Sequence, residues 1–370
     1  MARARHRSDA VRSGPLVPLV FASIFCAACT SPEVGTTPPQ PTPASELALA
    51  PELLFTISGE TGLTAARDLT VDHAGNVYVF DYGDYAIRKF DPQGGLLATF
   101  GGTGEEPGQF EHLMTIRAHG DSLLALDAGA MSAFDLTGEL RDRKVFSEKI
   151  LCDHPRVFPD GRWIGAWISS DRADLSLTYR GADGTEAERL ASYPLSELFP
   201  GIEPGVDFFI NPTQARSYLY DFLPDGSVLW AASDELRVNV LRDLGEGTFE
   251  EAVFFEAPAT PLPFPAEEIS ALEERQAASS PPFFLNVPKH YQIIQHLLGG
   301  ETGQVWLYIK SQERTGLLRL SDTGVETGFF SVESEIDLLS AHFTLANGLI
   351  YFMIPGREET AVYRLEVGNQ

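Results

Sequence analysis

Cysteine is scarce: three in 370 residues, and two of them, Cys26 and Cys29, fall in an N-terminal segment that reads as targeting rather than fold. That leaves Cys152 alone in the folded part, so no intrachain disulfide forms there. A lone Cys in the run Lys149-Ile150-Leu151-Cys152 reads as a small core residue rather than a nucleophile. Basic residues are also few, 27 against 52 acidic. A surface so acidic excludes nucleic acid and anionic membrane as partners. Long apolar runs are missing apart from residues 16–28, too short to span a bilayer comfortably. The common catalytic motifs are absent too. No Gly-x-Ser-x-Gly elbow and no His-Glu-x-x-His helix occur, and Gly101-Gly102-Thr103-Gly104 precedes Pro107 rather than a phosphate-binding helix. With no disulfides, the chain needs a core of its own, which its 44% hydrophobic content can supply.

What is present is a rhythm of short apolar runs and turns. Between residues 69 and 110 four runs, at 69–71, 77–80, 87–90 and 96–100, are cut by Asp72-His73-Ala74-Gly75-Asn76, Asp81-Tyr82-Gly83-Asp84 and Asp91-Pro92-Gln93-Gly94-Gly95. Runs of this length, rich in Val, Tyr, Phe and Ile, predict strands of an antiparallel meander. One meander is too small to bury both faces, so it is one unit of a repeat.

The unit resembles the NHL repeat of β-propellers. The matching residues are Asp72, Gly75-Asn76-Val77-Tyr78-Val79, Asp81, Ile87-Arg88-Lys89-Phe90, Gly94 and the tail from Phe100-Gly101 to Pro107-Gly108-Gln109-Phe110. The resemblance implies the fold and not a ligand, because propellers host binding, scaffolding and catalysis alike. Further units follow with second strands near 123–126, 163–167, 228–230, 305–309 and 349–354, which predicts an all-β, six-bladed propeller. Residues 53–57 precede the first full meander and are expected to complete the last blade, closing the ring. Trp163, Trp167, Trp230 and Trp306 lie in second strands and are expected to pack blade against blade.

Residues 260–280 interrupt the rhythm between blades four and five. Pro265, then Glu267 and Glu268, then Ile269 and Leu272 on one face predict a short amphipathic helix, packing on one face of the ring or covering the channel mouth. Asn286-Val287-Pro288-Lys289-His290, leading to Gly303-Gln304-Val305-Trp306, is similar to a segment of bacterial exported six-bladed propellers. That resemblance implies the ring size and leaves the activity open.

At the N-terminus, Arg3, Arg5, Arg7 and Arg12 precede the apolar run, and Ala27-Ala28 precede Cys29. This resembles the bacterial lipoprotein signal, which implies that Cys29 becomes the acylated first residue; an ordinary secretory cleavage is the alternative. Thr30 after Cys29 implies outer-membrane or cell-surface sorting, with a periplasmic or secreted chain as the other outcome. The domains are then a signal peptide over 1–28, a Pro/Thr-rich tether over 29–45 and the propeller over 46–370. Without residues 1–28, which carry four Arg and one Asp, the net charge moves from −25 to −28.

Candidate site residues come from aligning the blades. First strands line the central channel. Counting back from the second strands puts His154, His296 and His342 at similar positions, with His112 near the corresponding place on blade two. Arg67, Asp68, Arg216, Tyr218 and Tyr220 lie on neighbouring first strands. Converging imidazoles can ligate zinc with a position left for water or substrate, and the peptide-amidating lyases are NHL-like propellers of that kind. Propeller lactonases imply calcium instead, but Asp68 is the one acid placed for it. The Asp81–Asp84 turn has oxygen donors for calcium and also fits a plain strand connection. The reading favoured by the sequence is non-catalytic recognition or scaffolding. It has no catalytic residue and no cofactor, and the chain is a monomer at the envelope, binding a protein partner or small ligand on a propeller face or at the channel mouth. The alternative is a zinc- or calcium-dependent lyase or hydrolase with a channel site built on His154, His296 and His342.

Overall fold

The turn after the first strand of the meander shows why the chain reverses where it does. Asp72 Oδ1 accepts hydrogen bonds from the amides of Ala74 and Asn76, both at 2.9 Å, and Gly75 takes φ +83°. A short acceptor side chain thus replaces backbone partners that a two-residue reversal leaves unmet. Asp91, Asp135 and Ser321 repeat the device, each bonding amides two and four residues on. The acids that punctuate the sequence are in large part turn-builders.

The computed structural model describes residues 47–147, 152–168, 174–194, 217–245, 248–278, 289–300, 302–332, 338–356 and 358–366. Cys29, the tether to residue 45 and Arg216 lie outside these, as do the side chains of His154, Trp167 and Leu272. The chain begins with β1 (Leu47–Leu49) and β2 (Glu52–Ser58). Blade one is β3 (Ala66–Val71), β4 (Val77–Asp81), β5 (Ala86–Phe90) and β6 (Leu96–Gly101). Blade two is β7 (Leu113–His119), β8 (Ser122–Asp127), β9 (Ala130–Asp135) and β10 (Leu140–Val145). Blade three is β11 (Asp153–Val157), β12 (Trp163–Ile168), β13 (Asp174–Arg180) and β14 (Glu186–Pro194). Blade four is β15 (Tyr218–Phe222), β16 (Val228–Ala232), β17 (Arg237–Gly245) and β18 (Thr248–Glu256), followed by helix α1 (Ala266–Ala278). Blade five is β19 (Ile294–Gly299), β20 (Val305–Lys310), β21 (Thr315–Leu320) and β22 (Glu326–Val332). Blade six is β23 (His342–Ala346), β24 (Leu349–Pro355) and β25 (Glu359–Leu365).

Each blade is an antiparallel sheet, and the ring is a six-bladed β-propeller. Strand β2 pairs antiparallel with β25 and supplies the fourth strand of blade six, as the sequence predicts for 53–57. Its Phe55 and Ile57 are buried against blade one, about 1.5–3 kcal/mol of apolar burial each. Gly94 makes that contact possible: a Cβ there would lie 2.7 Å from Phe55, and its φ is +87°. The three-residue strand β1 is not foreseen from sequence. It runs parallel to β22 and covers the outer edge of blade five before the chain crosses to blade six.

The core lies between blades. One apolar cluster fills each junction around the ring, so the second strands are buried on both faces and every residue of β4 is buried. Trp163 and Trp306 are fully buried at such junctions, as expected, whereas Trp230 is only partly so. Helix α1 falls where the sequence puts it, just after Pro265, whose carbonyl accepts from the Ile269 amide at 3.2 Å. Its base is stitched to blade five. Glu313 accepts from the Thr260 amide, Tyr291 donates to Glu268 at 2.6 Å, and the rings of Phe264 and Tyr291 meet at 4.1 Å.

Candidate functional site

The loop from β4 to β5 reads Asp81-Tyr82-Gly83-Asp84-Tyr85 and opens at the end of the ring where the first strands begin. Asp81 is fully buried. It accepts from the amides of Thr64, Ala65 and Gly83 at 2.8, 2.8 and 2.9 Å. Arg88 lies beneath, 3.0 Å from Asp81 Oδ2 and 2.7 Å from Asp84 Oδ2, and also donates to the carbonyls of Thr61 and Gly62. Burial works against the charge of Asp84, but hydrogen bonds from Arg88 and the Ala86 amide hold its carboxyl below the usual range. The positive charge that this acidic turn needs is therefore the protein's own.

With the loop so pinned, Tyr85 is held at φ +54°, a left-handed conformation unfavourable for a bulky residue. The strain aims its ring at the next blade. Tyr85 Oη lies 3.0 Å from His112 Nδ1. Tyr82, Tyr85 and His112 form a three-ring cluster with centroids 5.5–5.8 Å apart in edge-to-face contacts. Arg67 Cζ lies 6.0 Å from the Tyr82 centroid. His112 is fixed from behind, since its amide donates to Asp127 Oδ1 at 2.6 Å. Burial first, then the neighbouring Tyr82 and Asp127, raise the Tyr85 phenol above its ordinary value. It therefore keeps its proton near neutrality. Tyr82 remains 46% exposed. Two expected site residues, Arg67 and His112, are thus brought together by two tyrosines that the sequence reading does not single out.

The other candidates go elsewhere. Strand register puts Asp68, Tyr218, His296 and His342 opposite Phe80, Ala232, Tyr308 and Met353. Several of these side chains are nonetheless committed between blades. Asp68 is 8% exposed and accepts from Thr115 Oγ1 at 2.6 Å and the Ile116 amide at 3.1 Å, tying β3 to β7. Asp221 ties β15 to the Gly299 amide of β19 at 3.0 Å in the same manner. His296 Nε2 lies 3.2 Å from the Leu338 carbonyl oxygen, and its ring packs 4.4 Å from that of Phe343. Tyr220 Oη accepts from the Ala166 amide of blade three at 3.2 Å. Among the described residues no three His, Cys, Asp or Glu side chains are grouped to hold a metal ion. Cys152 sits 3.9 Å from the Met114 sulfur, against the core between blades two and three. Arg117, also not singled out by sequence, reaches from blade two to lie 4.9 Å from the Phe222 ring centroid of blade four.

The sequence matches no family model and no curated protein. Solved structures share the architecture. A Bacteroides fragilis protein described as exported matches with TM-score 0.50 at 8% identity, over 88% of this chain and 97% of its own. A DUF4221-family protein from Bacteroides vulgatus gives 0.49 at 11% identity, over 88% and 99%. A gluconolactonase from Xanthomonas campestris gives 0.42 at 11% identity, over 88% and 99%. At such identities the likeness shows the propeller fold alone.

Proposed function

We propose that this chain is an exported, lipid-anchored propeller of the NHL-like kind that recognises a ligand without transforming it. Its recognition surface is the cluster of Arg67, Tyr82, Tyr85 and His112 where blade one meets blade two. The observation that carries this reading is Tyr82, left 46% exposed yet held edge-on by two fixed rings beside a guanidinium. Rings fixed in advance lose little freedom on binding, and a large exposed aromatic gains by being covered. The exposed Arg67 adds a cation to an otherwise acidic chain. The ligand that fits is a small molecule or protein segment carrying a carboxylate or phosphate beside a flat apolar face.

The support for anchoring is the basic and apolar N-terminal segment ending at Cys29. Metabolic labelling with a fatty acid should mark the wild-type chain and not Cys29→Ser; label in both would overturn the anchor. For recognition, wild-type protein and an Arg67→Ala/Tyr82→Ala variant are immobilised and challenged with envelope extract. A species retained by the wild type and missing from the variant supports the mouth site. Identical retention by both contradicts it.

A further inference from the structure

Arg117 belongs to the first strand of blade two, yet its guanidinium carbon lies 4.9 Å from the ring centroid of Phe222 on the first strand of blade four. Blade three stands between those blades in the ring, so the contact crosses the central channel. Arg117 comes two residues before the end of β7 and Phe222 is the last residue of β15. They meet near the end of the channel away from the mouth cluster.

Phe222 stacks on Phe158 of blade three with ring centroids 4.4 Å apart, and both rings are buried. This aromatic pair carries a cation at each end, since Arg162 Cζ lies 5.4 Å from the Phe158 centroid. The two cations are neutralised differently. Arg162 Nε donates to Asp160 Oδ2 at 2.6 Å, and its Nη1 lies 3.1 Å from Asp243. Arg117 has, among the described residues, no carboxylate and no hydrogen-bond acceptor, although it is only partly exposed. Stacking on Phe222 uses the face of its guanidinium and leaves the N–H donors at the edge unspent.

A second cation stands at the same level. Arg156 lies two residues before the turn amide of Phe158, as Thr70 and Asp221 lie two residues before those of Asp72 and Leu223. Thr70 Oγ1 accepts from the amide of Ala118, next to Arg117 on the following blade, at 3.0 Å. Arg156 is also partly exposed and has no partner among the described residues. The acid at this level does not compensate either arginine. Asp221 is 2% exposed, and its two oxygens accept from the Phe222 and Gly299 amides at 3.0 Å each. In a chain with 52 acidic and 27 basic residues, two arginines on neighbouring first strands thus lack a counter-charge.

We propose that this end of the channel binds a phosphate group, free or as a small monoester, through the guanidinium groups of Arg117 and Arg156 beside the Phe222 ring. A tetrahedral dianion accepts donors from two blades at once, whereas a planar carboxylate is matched by one guanidinium fork. The site is separate from the mouth cluster and does not rest on it.

Inorganic phosphate is the probe, titrated calorimetrically into the purified protein at constant ionic strength in chloride. One phosphate should bind per chain with a Kd below about 1 mM. Arg117→Met keeps an apolar stem over Phe222 and removes the charge; it should weaken binding at least about tenfold. Arg156→Gln should weaken it about fivefold to tenfold. Arg242→Gln removes an exposed cation on the outer part of blade four and should leave binding unchanged. Binding of phosphate alone supports the site with a free anion as occupant, and binding of glycerol 3-phosphate as well supports it with an ester. No phosphate binding up to about 10 mM overturns the proposal. So does binding undiminished in Arg117→Met, or weakened equally by Arg242→Gln. Should Arg117→Met not fold, undiminished binding by Arg156→Gln is the overturning result.

Discussion

Arg88 Nη1 lies 3.0 Å from Asp81 Oδ2 with both side chains buried, and the same guanidinium donates to the carbonyls of Thr61 and Gly62. Those carbonyls belong to the turn between the closing strand β2 and blade one. One cation thus fastens the seam of the ring and supports the Tyr82–Tyr85 loop above it. Removing it leaves a buried carboxylate without its counter-ion, which costs about 3–5 kcal/mol. Arg88→Met should lower the denaturant midpoint correspondingly and also abolish retention at the mouth site. A midpoint within experimental error of wild type would show that the seam does not depend on this pair.

Asp68 separates an architectural acid from a ligand-binding one. Its Oδ2 takes both the Thr115 hydroxyl and the Ile116 amide. Asp68→Asn puts a donor or a weaker acceptor in that place and should cost about 1–3 kcal/mol, read as a fall in melting temperature. Retention of ligand at the mouth should be unchanged at temperatures where the variant is folded. Loss of retention with unaltered stability would return Asp68 to the site.

The base of the helical insertion should respond to acid. Hydrogen bonds from Thr260, and then from Ser311, lower the Glu313 carboxyl from 4.5 to about 2. A carboxylate depressed in the folded state contributes its stabilisation above pH 4.5 and loses it as pH falls toward 2. The Thr260 amide resonance should therefore titrate with a midpoint near 2, and Glu313→Gln should remove that titration. A midpoint near 4.5 would mean that the contact does not form in solution.

The fold was legible because turn chemistry is local. Asp72, Asp91 and Asp135 announce their reversals within a few residues, and aligning the resulting runs gives blade count, closing strand and helix. Strand β1 escaped because three residues without a turn carry no periodic signal. The site was legible only in part, since first-strand register can be counted but side-chain direction cannot. Asp68, His296 and Tyr220 fall on the counted strands, yet they bond across blade junctions that no local pattern encodes. Tyr82 and Tyr85 were visible as two rings in a polar loop. Their convergence on His112 needs the Asp81–Arg88 lock, a contact between residues on different strands.

Metal content tests most directly whether the ring works by recognition or by metal-dependent chemistry. The protein is purified without chelators or an oligohistidine tag and assayed for zinc and calcium, beside a variant with His154, His296 and His342 all changed to Ala. The bond of His296 to Leu338 and its packing on Phe343 lead to the expectation of far less than one metal per chain, with folding unchanged by chelator. Near-stoichiometric zinc or calcium, lost in the triple variant, would contradict recognition as the central activity and place the chemistry in the channel.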